Sequence, residues 1–171
     1  MKKMVICVDE LDQPTGSMEK MEAHLRGCLH RAFSIFIYNS EGKMLLQRRA
    51  ADKYHSGGLW TNACCSHPAP EEALEETIHR RLLEEMGFDC SLREIHQFLY
   101  KASLDHGLVE HEYDHVFVGT YDGEVFLNPE EADDYKWMSI EELRNDVCER
   151  PELYTIWFRI ALEKVLENYK K

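Results

Sequence analysis

Apolar positions along this chain follow two rhythms, short strand-length runs in the first half and a four-residue repeat in its middle. Residues 4–8 form an apolar run that predicts a first strand, and the turn residues Asp12, Pro14 and Gly16 follow it. Ser17 predicts the N-cap of a short helix through Glu22, and Gly27 marks a bend bracketed by His24 and His30. Residues 31–38, rich in Ile and Phe, predict a buried strand. Asn39, Ser40, Glu41 and Gly42 then make a hairpin turn into a second strand over 43–49. Residues 50–59 read as a loop ending in Ser56, Gly57 and Gly58.

The helical rhythm is strongest over 71–86, where Leu74, Ile78, Leu82 and Met86 recur every four residues between Pro68 and Pro70 on one side and Gly87 on the other. Beyond it, 95–102 and 109–121 predict strands joined by a turn at Asp105, His106 and Gly107. Residues 128–134 read as an acidic surface loop and 135–138 as a short strand. Ser139 predicts an N-cap ahead of Glu141 and Glu142, and 151–169 a terminal helix with apolar Ile156, Ile160 and Val165. Strands flanked by one central and one or two C-terminal helices predict an α+β fold, a single-domain sandwich around a mixed sheet.

Composition narrows function more than fold. A chain of 171 residues can bury one substantial core, and 44% hydrophobic with 30% charged residues is ordinary for a folded domain. The longest apolar run, 32–38, is interrupted by Ser34 and too short to span a bilayer, and Asp9 and Glu10 break the apolar start before a signal core develops. A cytoplasmic location without membrane contact is the expectation. The net charge of -12 argues against a nucleic-acid or anionic-membrane surface. A phosphorylated substrate must therefore be held by a few local cations or by metal. The six cysteines lack zinc-ribbon or disulfide-scaffold spacing and read as reduced thiols, Cys64 among them without assigned chemistry.

Three clusters carry candidate chemistry. In 60–68, extended backbone points Cys65 and His67 to one side, although an isolated pair of this kind more often means a packed thiol and a turn-capping imidazole. On the central helix, Arg81 and Glu85 fall within or beside the apolar stripe. They suit either an i, i+4 surface pair or a carboxylate holding a divalent ion beside an arginine holding phosphate. Around them Ser66, Glu72, Arg80, Leu82, Glu84, Glu85, Gly87 and Phe88 stand where the Nudix box places Gly, Glu, Arg, an aliphatic residue, two Glu, Gly and an aliphatic residue. The stretch resembles a degenerate Nudix box, with Ser66 for the first Gly and Arg81 for the Glu after the Arg. Exchanging a metal-binding carboxylate for a cation points away from plain hydrolysis. In the third cluster, strand alternation sends Glu110 and Glu112 to one face about 6.5–7 Å apart, as a shared ion site or as a solvated sheet face. With His24, His30 and His67 they make three imidazoles and two carboxylates, a set suited to Zn2+, Mn2+ or Mg2+.

Taken together, Lys20, His24, His30, Arg49, Lys53, the 60–68 segment, Arg81 with Glu85, Tyr100, Glu110 with Glu112, and Trp157 resemble the type 1 isopentenyl-diphosphate Δ-isomerases, a Nudix-fold family, over nearly the whole chain. The resemblance implies a Nudix-type α/β/α sandwich in which 1–27 is an extension carrying metal and diphosphate residues, 28–150 the core and 151–171 a C-terminal helix. It implies interconversion of isopentenyl and dimethylallyl diphosphate, in isoprenoid biosynthesis, through a tertiary carbocation. Cys65 would serve the C2 side of the substrate, and Glu112 with Tyr100 the C4 side. A divalent ion, Mn2+, Zn2+ or Mg2+, would sit on His24, His30, His67, Glu110 and Glu112. Lys20, Arg49, Lys53 and Arg81 would hold the diphosphate, with Mg2+ bridging it to Glu85. Trp157 would turn its indole face to the carbocation, or simply pack the core. The partner implied is a small allylic or homoallylic diphosphate, and the chain would act as monomer or homodimer.

Two other readings compete. A Nudix hydrolase of a nucleoside diphosphate derivative would release phosphate or nucleotide and has no need of Cys65 or the Glu110/Glu112 strand. A non-catalytic, metal-stabilised binding domain would lose nothing measurable on substitution of Cys65.

Overall fold

In the computed structural model, which describes residues 2–170, the Ile- and Phe-rich run at 31–38 is the central strand of a mixed sheet. In chain order the described residues form β1 (Met4–Val8), β2 (Pro14–Glu19), α1 (Lys20–Arg26), β3 (His30–Tyr38), β4 (Met44–Arg49), β5 (Trp60–Thr61) and β6 (Cys64–Ser66). After them come α2 (Leu74–Met86), β7 (Leu92–Ser103), β8 (Val109–Thr120), β9 (Ala132–Met138), α3 (Ile140–Glu149) and α4 (Ile156–Asn168). β3 runs parallel to β8 and antiparallel to β1, β4 and β6. β7 pairs with β8, β2 with β1, and both β5 and β9 with β4.

The period-two pattern of β3 decides how the layers stack. Phe33, Ile35 and Ile37 pack on one face against Ile78, Leu82 and Met86 of α2. Phe36 and Tyr38 pack on the other against Trp157, Phe158 and Leu162 of α4. Both faces are thus covered, which makes the expected α/β/α sandwich. Burying each of these large side chains is worth roughly 1.5–3 kcal/mol. Gly87 ends α2 in the left-handed conformation at φ 74°, and a Cβ there would stand 2.5 Å from the Phe126 carbonyl oxygen. Only glycine meets both conditions.

Several element boundaries differ from expectation, each for a tertiary reason. Ser17 caps no helix. It pairs with Ile6 within the β1–β2 ladder, and α1 starts at Lys20, capped by Glu19, whose carboxylate accepts from the amides of Met21 and Glu22. α2 begins at Leu74 rather than 71, because residues after Pro70 complete a turn in which the Glu72 amide donates to the Ala69 carbonyl. The 128–134 segment is a loop only in part, since Ala132 already pairs with Arg49 and β9 runs from there along β4. The C-terminal helix is split: a 3-10 turn spans Pro151–Leu153, and α4 starts at Ile156 with Thr155 as its cap. The Thr155 amide donates to the Trp60 carbonyl, so pairing with β5 interrupts the helix. Among the described residues no helix is long and apolar enough to cross a membrane.

Candidate active site

The parallel register of β3 and β8 sets His30 directly opposite Glu112. Alternation along β8 turns Glu110 the same way, and both carboxylates are buried, so this strand face is not solvated. α1 brings His24 against them and the end of β6 brings His67. One ligand atom from each of His24, His30, His67, Glu110 and Glu112 lies within 4.8 Å of all the others.

The hydrogen bonds of the imidazoles fit this set to a cation. His24 Nδ1 donates to the Lys20 carbonyl at 2.7 Å and His30 Nδ1 to the Cys28 carbonyl at 2.8 Å. A neutral ring so held turns the lone pair of its Nε2 inward. Those nitrogens meet carboxylate oxygens: His24 Nε2 is 3.0 Å from Glu110 Oε1, His67 Nε2 is 2.8 Å and His30 Nε2 3.6 Å from Glu112 Oε1. His30 Nε2 is buried without a hydrogen-bond partner. Lone pairs converging on carboxylates repel unless a proton or a divalent ion lies among them, and three N and two O donors suit a divalent metal. Burial pushes the Glu110 carboxyl upward, reinforced by the charge of Glu112. Burial acts on Glu112 too, but its contacts with Glu110, His30 and Tyr100 outweigh that and hold it low.

Beside the cluster lies a cavity of about 100 Å³. Cys65 lines it from β6 and Glu112 from β8, with Tyr100 and Trp157 completing the wall near them. Cys65 Sγ donates to Asn62 Oδ1 at 3.1 Å, and Asn62 is itself fixed by donating to the carbonyls of Ile35 and Cys64. Burial pushes the Cys65 thiol up, with the nearby Asp114 charge adding to it. Tyr100 Oη donates to Glu112 Oε2 at 2.7 Å.

The same cavity is lined by Lys20, Arg49, Lys53 and Arg81. Arg81 sits 2.6 Å from Glu85 and 3.2 Å from Glu131, and Lys53 is 2.6 Å from the other oxygen of Glu131. The Arg81/Glu85 pair is therefore no surface pair at the edge of the stripe. Arg49 and Arg81 each keep a buried Nε without a partner, donors an anion can use. Burial lowers the Lys20 ammonium to about 8, and its Nζ lies 4.7 Å from the Tyr54 ring centre. Trp157 is buried in the core beneath α4 and also reaches the cavity, with the Arg49 guanidinium 5.1 Å from its ring centre.

The box residues divide. Glu85 and Ser66 reach the cavity, whereas Arg80 lies exposed between Glu72 and Glu84 at 2.7 and 2.9 Å. Sequence reasoning missed Asn62, Ser34, Asp114, Gln47, Glu131 and His55. Asp114 continues the 110, 112 alternation and accepts from Ser34 Oγ at 2.8 Å, a signal that was present. Gln47 reaches Glu85 at 3.0 Å and Glu131 joins two cations, but neither carries a local pattern that singles it out.

Comparison with known proteins gives the family and the fold. The NUDIX domain family model matches residues 28–158. The chain is 53% identical to Isopentenyl-diphosphate Delta-isomerase 2 of Aromatoleum aromaticum, over 97% of this chain and 88% of that protein. It is 52% identical to Isopentenyl-diphosphate Delta-isomerase 2 of Photorhabdus laumondii, over 93% and 90%. Among solved structures, a MutT protein from Methanosarcina mazei superposes with a TM-score of 0.68 at 24% identity, covering 84% of this chain and 96% of that one. A MutT NUDIX hydrolase from Burkholderia pseudomallei does so with 0.62 at 22%, covering 80% and 98%. At those identities the structures speak for the fold alone.

Proposed function

The chain belongs to the isopentenyl-diphosphate Delta-isomerase family of the Nudix fold, and on that premise we propose how its cavity interconverts isopentenyl and dimethylallyl diphosphate. The observation that carries the reading is that Cys65 and Glu112 line one small cavity from different strands, each with its own hydrogen-bond partner, Asn62 and Tyr100. Isomerisation needs a proton added to one carbon and another removed across an allylic system. Two such groups lining one small cavity suit it.

In one direction the Cys65 thiol gives its proton to C2 of dimethylallyl diphosphate, the positive charge rests on C3, and the Glu112 carboxylate takes a proton from C4. In the other direction Glu112 protonates C4 of isopentenyl diphosphate and the Cys65 thiolate takes a proton from C2. One proton enters and one leaves, and no phosphate bond breaks. The Trp157 indole, at the cavity wall, offers its π face to the C3 cation, an interaction worth about 2 kcal/mol when desolvated. Tyr100 orients Glu112 toward C4.

Lys20, Arg49, Lys53 and Arg81 hold the diphosphate, which local cations allow in spite of the net charge of -12. His24, His30, His67, Glu110 and Glu112 would hold a divalent ion, whose charge would tune the proton affinity of Glu112, and Glu85 would hold Mg2+, whose charge would offset that of the diphosphate. We assign Mn2+, Zn2+ or Mg2+ to the first position, the cytoplasm as location, residues 1–27 as the extension bringing Lys20 and His24, 28–150 as the core and 151–171 as the segment bringing Trp157.

The test is proton NMR of isopentenyl diphosphate with the protein and Mg2+ in deuterated buffer. Deuterium should enter the C4 methyl group of the dimethylallyl product, with no inorganic phosphate released. Phosphate release without deuterium uptake would overturn the reading in favour of a hydrolase.

A further inference from the structure

The loop between β4 and β5 carries a histidine that the chemistry above does not use. His55 is 3% exposed, and its Nε2 is buried without a hydrogen-bond partner. Leaving a ring nitrogen so placed costs free energy that packing alone does not return. Facing that nitrogen at 3.7 Å is Glu110 Oε2, the oxygen that His24 does not hold, since His24 Nε2 meets Oε1.

The ring is fixed from several sides. Nδ1 lies 3.1 Å from Ser56 Oγ, and the ring meets Trp157 and Tyr54 edge-on at centroid distances of 5.5 and 4.3 Å. Arg49 donates to the His55 carbonyl at 3.1 Å. Ser56 adopts a left-handed φ of 52°, unfavourable for a residue with a Cβ, and its amide donates to the Asp105 carboxylate. Asp105 belongs to the turn that joins β7 to β8, the strand bearing Glu110. A strained backbone, a carboxylate that holds it and a confined imidazole are all assembled behind a single carboxylate oxygen.

We propose that His55 is a positioning residue for Glu110. Ser56 Oγ–H donates to His55 Nδ1, which leaves the ring proton on Nε2. Nε2–H then donates to Glu110 Oε2 and keeps Oε1 directed into the His24, His30 and His67 cluster. The other tautomer would aim a lone pair at a carboxylate, which is repulsive. The gap is about half an ångström longer than a hydrogen bond, within reach of a small carboxylate rotation. This role rests on the reading of Glu110 as a metal ligand.

Titration calorimetry of Mn2+ alone into the full chain and into His55→Ala, His55→Gln and Glu110→Gln tests it, with the melting temperature of each measured in chelator. His55→Ala should bind Mn2+ about 10- to 100-fold more weakly, the usual effect of losing an outer-shell partner, with little change in melting in chelator. His55→Gln, whose amide nitrogen can occupy the Nε2 position, should recover most of the affinity. Parent-like binding by His55→Ala alongside lost binding in Glu110→Gln overturns the role of His55 only. If His55→Ala fails to fold, weak binding by a folded His55→Gln chain overturns it equally. Parent-like binding by Glu110→Gln overturns the metal-site reading itself.

Discussion

Tyr100 and Glu112 are register partners on β7 and β8, and the Tyr100 hydroxyl donates to Glu112 Oε2 at 2.7 Å. The sheet ladder itself therefore holds the phenol against the carboxylate. Tyr100→Phe keeps the packing and removes the donor. It is expected to lower kcat about 10- to 100-fold, the effect of losing ~1.5–3 kcal/mol from a hydrogen bond to a charged group. Steady-state turnover with isopentenyl diphosphate reads this directly, and an unchanged kcat would show that Glu112 works without the hydroxyl.

Cys65 and Glu112 should separate cleanly in a second experiment. Cys65→Ala and Glu112→Gln each remove a proton-transfer group, so each should lower kcat by about 10²- to 10⁴-fold. Glu112 Oε1 also lies 2.8 Å from His67 Nε2 within the ligand cluster, whereas Cys65 lies outside it. Mn2+ titration should accordingly show weaker binding for Glu112→Gln and parent-like binding for Cys65→Ala. Equal loss of metal in both would contradict the division of labour.

Arg81 is the cation that offsets the most buried carboxylate of the central helix. Glu85 is 4% exposed and 2.6 Å from Arg81, with Glu131 also nearby. Arg81→Leu leaves Glu85 buried without its partner, a loss of ~3 kcal/mol, or about 6–12 °C in melting temperature for a domain of this size. It should also raise KM for the diphosphate. Arg81→Lys, which keeps the charge but not the fork, should fall between the two. A Leu variant that melts with the parent would show that Gln47, donating to Glu85 at 3.0 Å, suffices for the carboxylate.

A pH effect belongs to the contact that anchors the start of α4. The Tyr154 hydroxyl donates to Asp146 at 2.5 Å and holds its carboxyl below the ordinary range, helped by Arg150. Because the folded value is the lower one, the stabilisation is complete above the unfolded value of about 3.9 and disappears as pH falls through the folded value. Tyr154→Phe should melt below the parent at neutral pH, and the two melting curves should converge in acid. A gap undiminished at the acid end would mean that Asp146 is not its source.

The repeat at Leu74, Ile78, Leu82 and Met86, the alternation of Glu110 and Glu112 along β8 and the Cys65 to His67 segment were all legible in the chain, because each is a local periodicity that one helix face or one strand face expresses. Resemblance added the diphosphate-binding cations to the candidate ligands, and these residues do converge: His24, His30, His67, Glu110 and Glu112 lie together beside a cavity lined by Lys20, Arg49, Lys53 and Arg81. The boundaries at Ser17, Ala132 and Thr155 were not legible. Each depends on a partner strand distant in sequence, β1, β4 and β5, whose pairing outweighs the local cap or turn signal. The sequence by itself determined which residue types are available for chemistry and which faces are apolar. Only the tertiary structure decided that Asn62 orients Cys65, that Glu131 joins Lys53 to Arg81, and that His55 stands behind Glu110. Those relations are made by single side chains brought together across the fold, and a spacing rule carries no record of them.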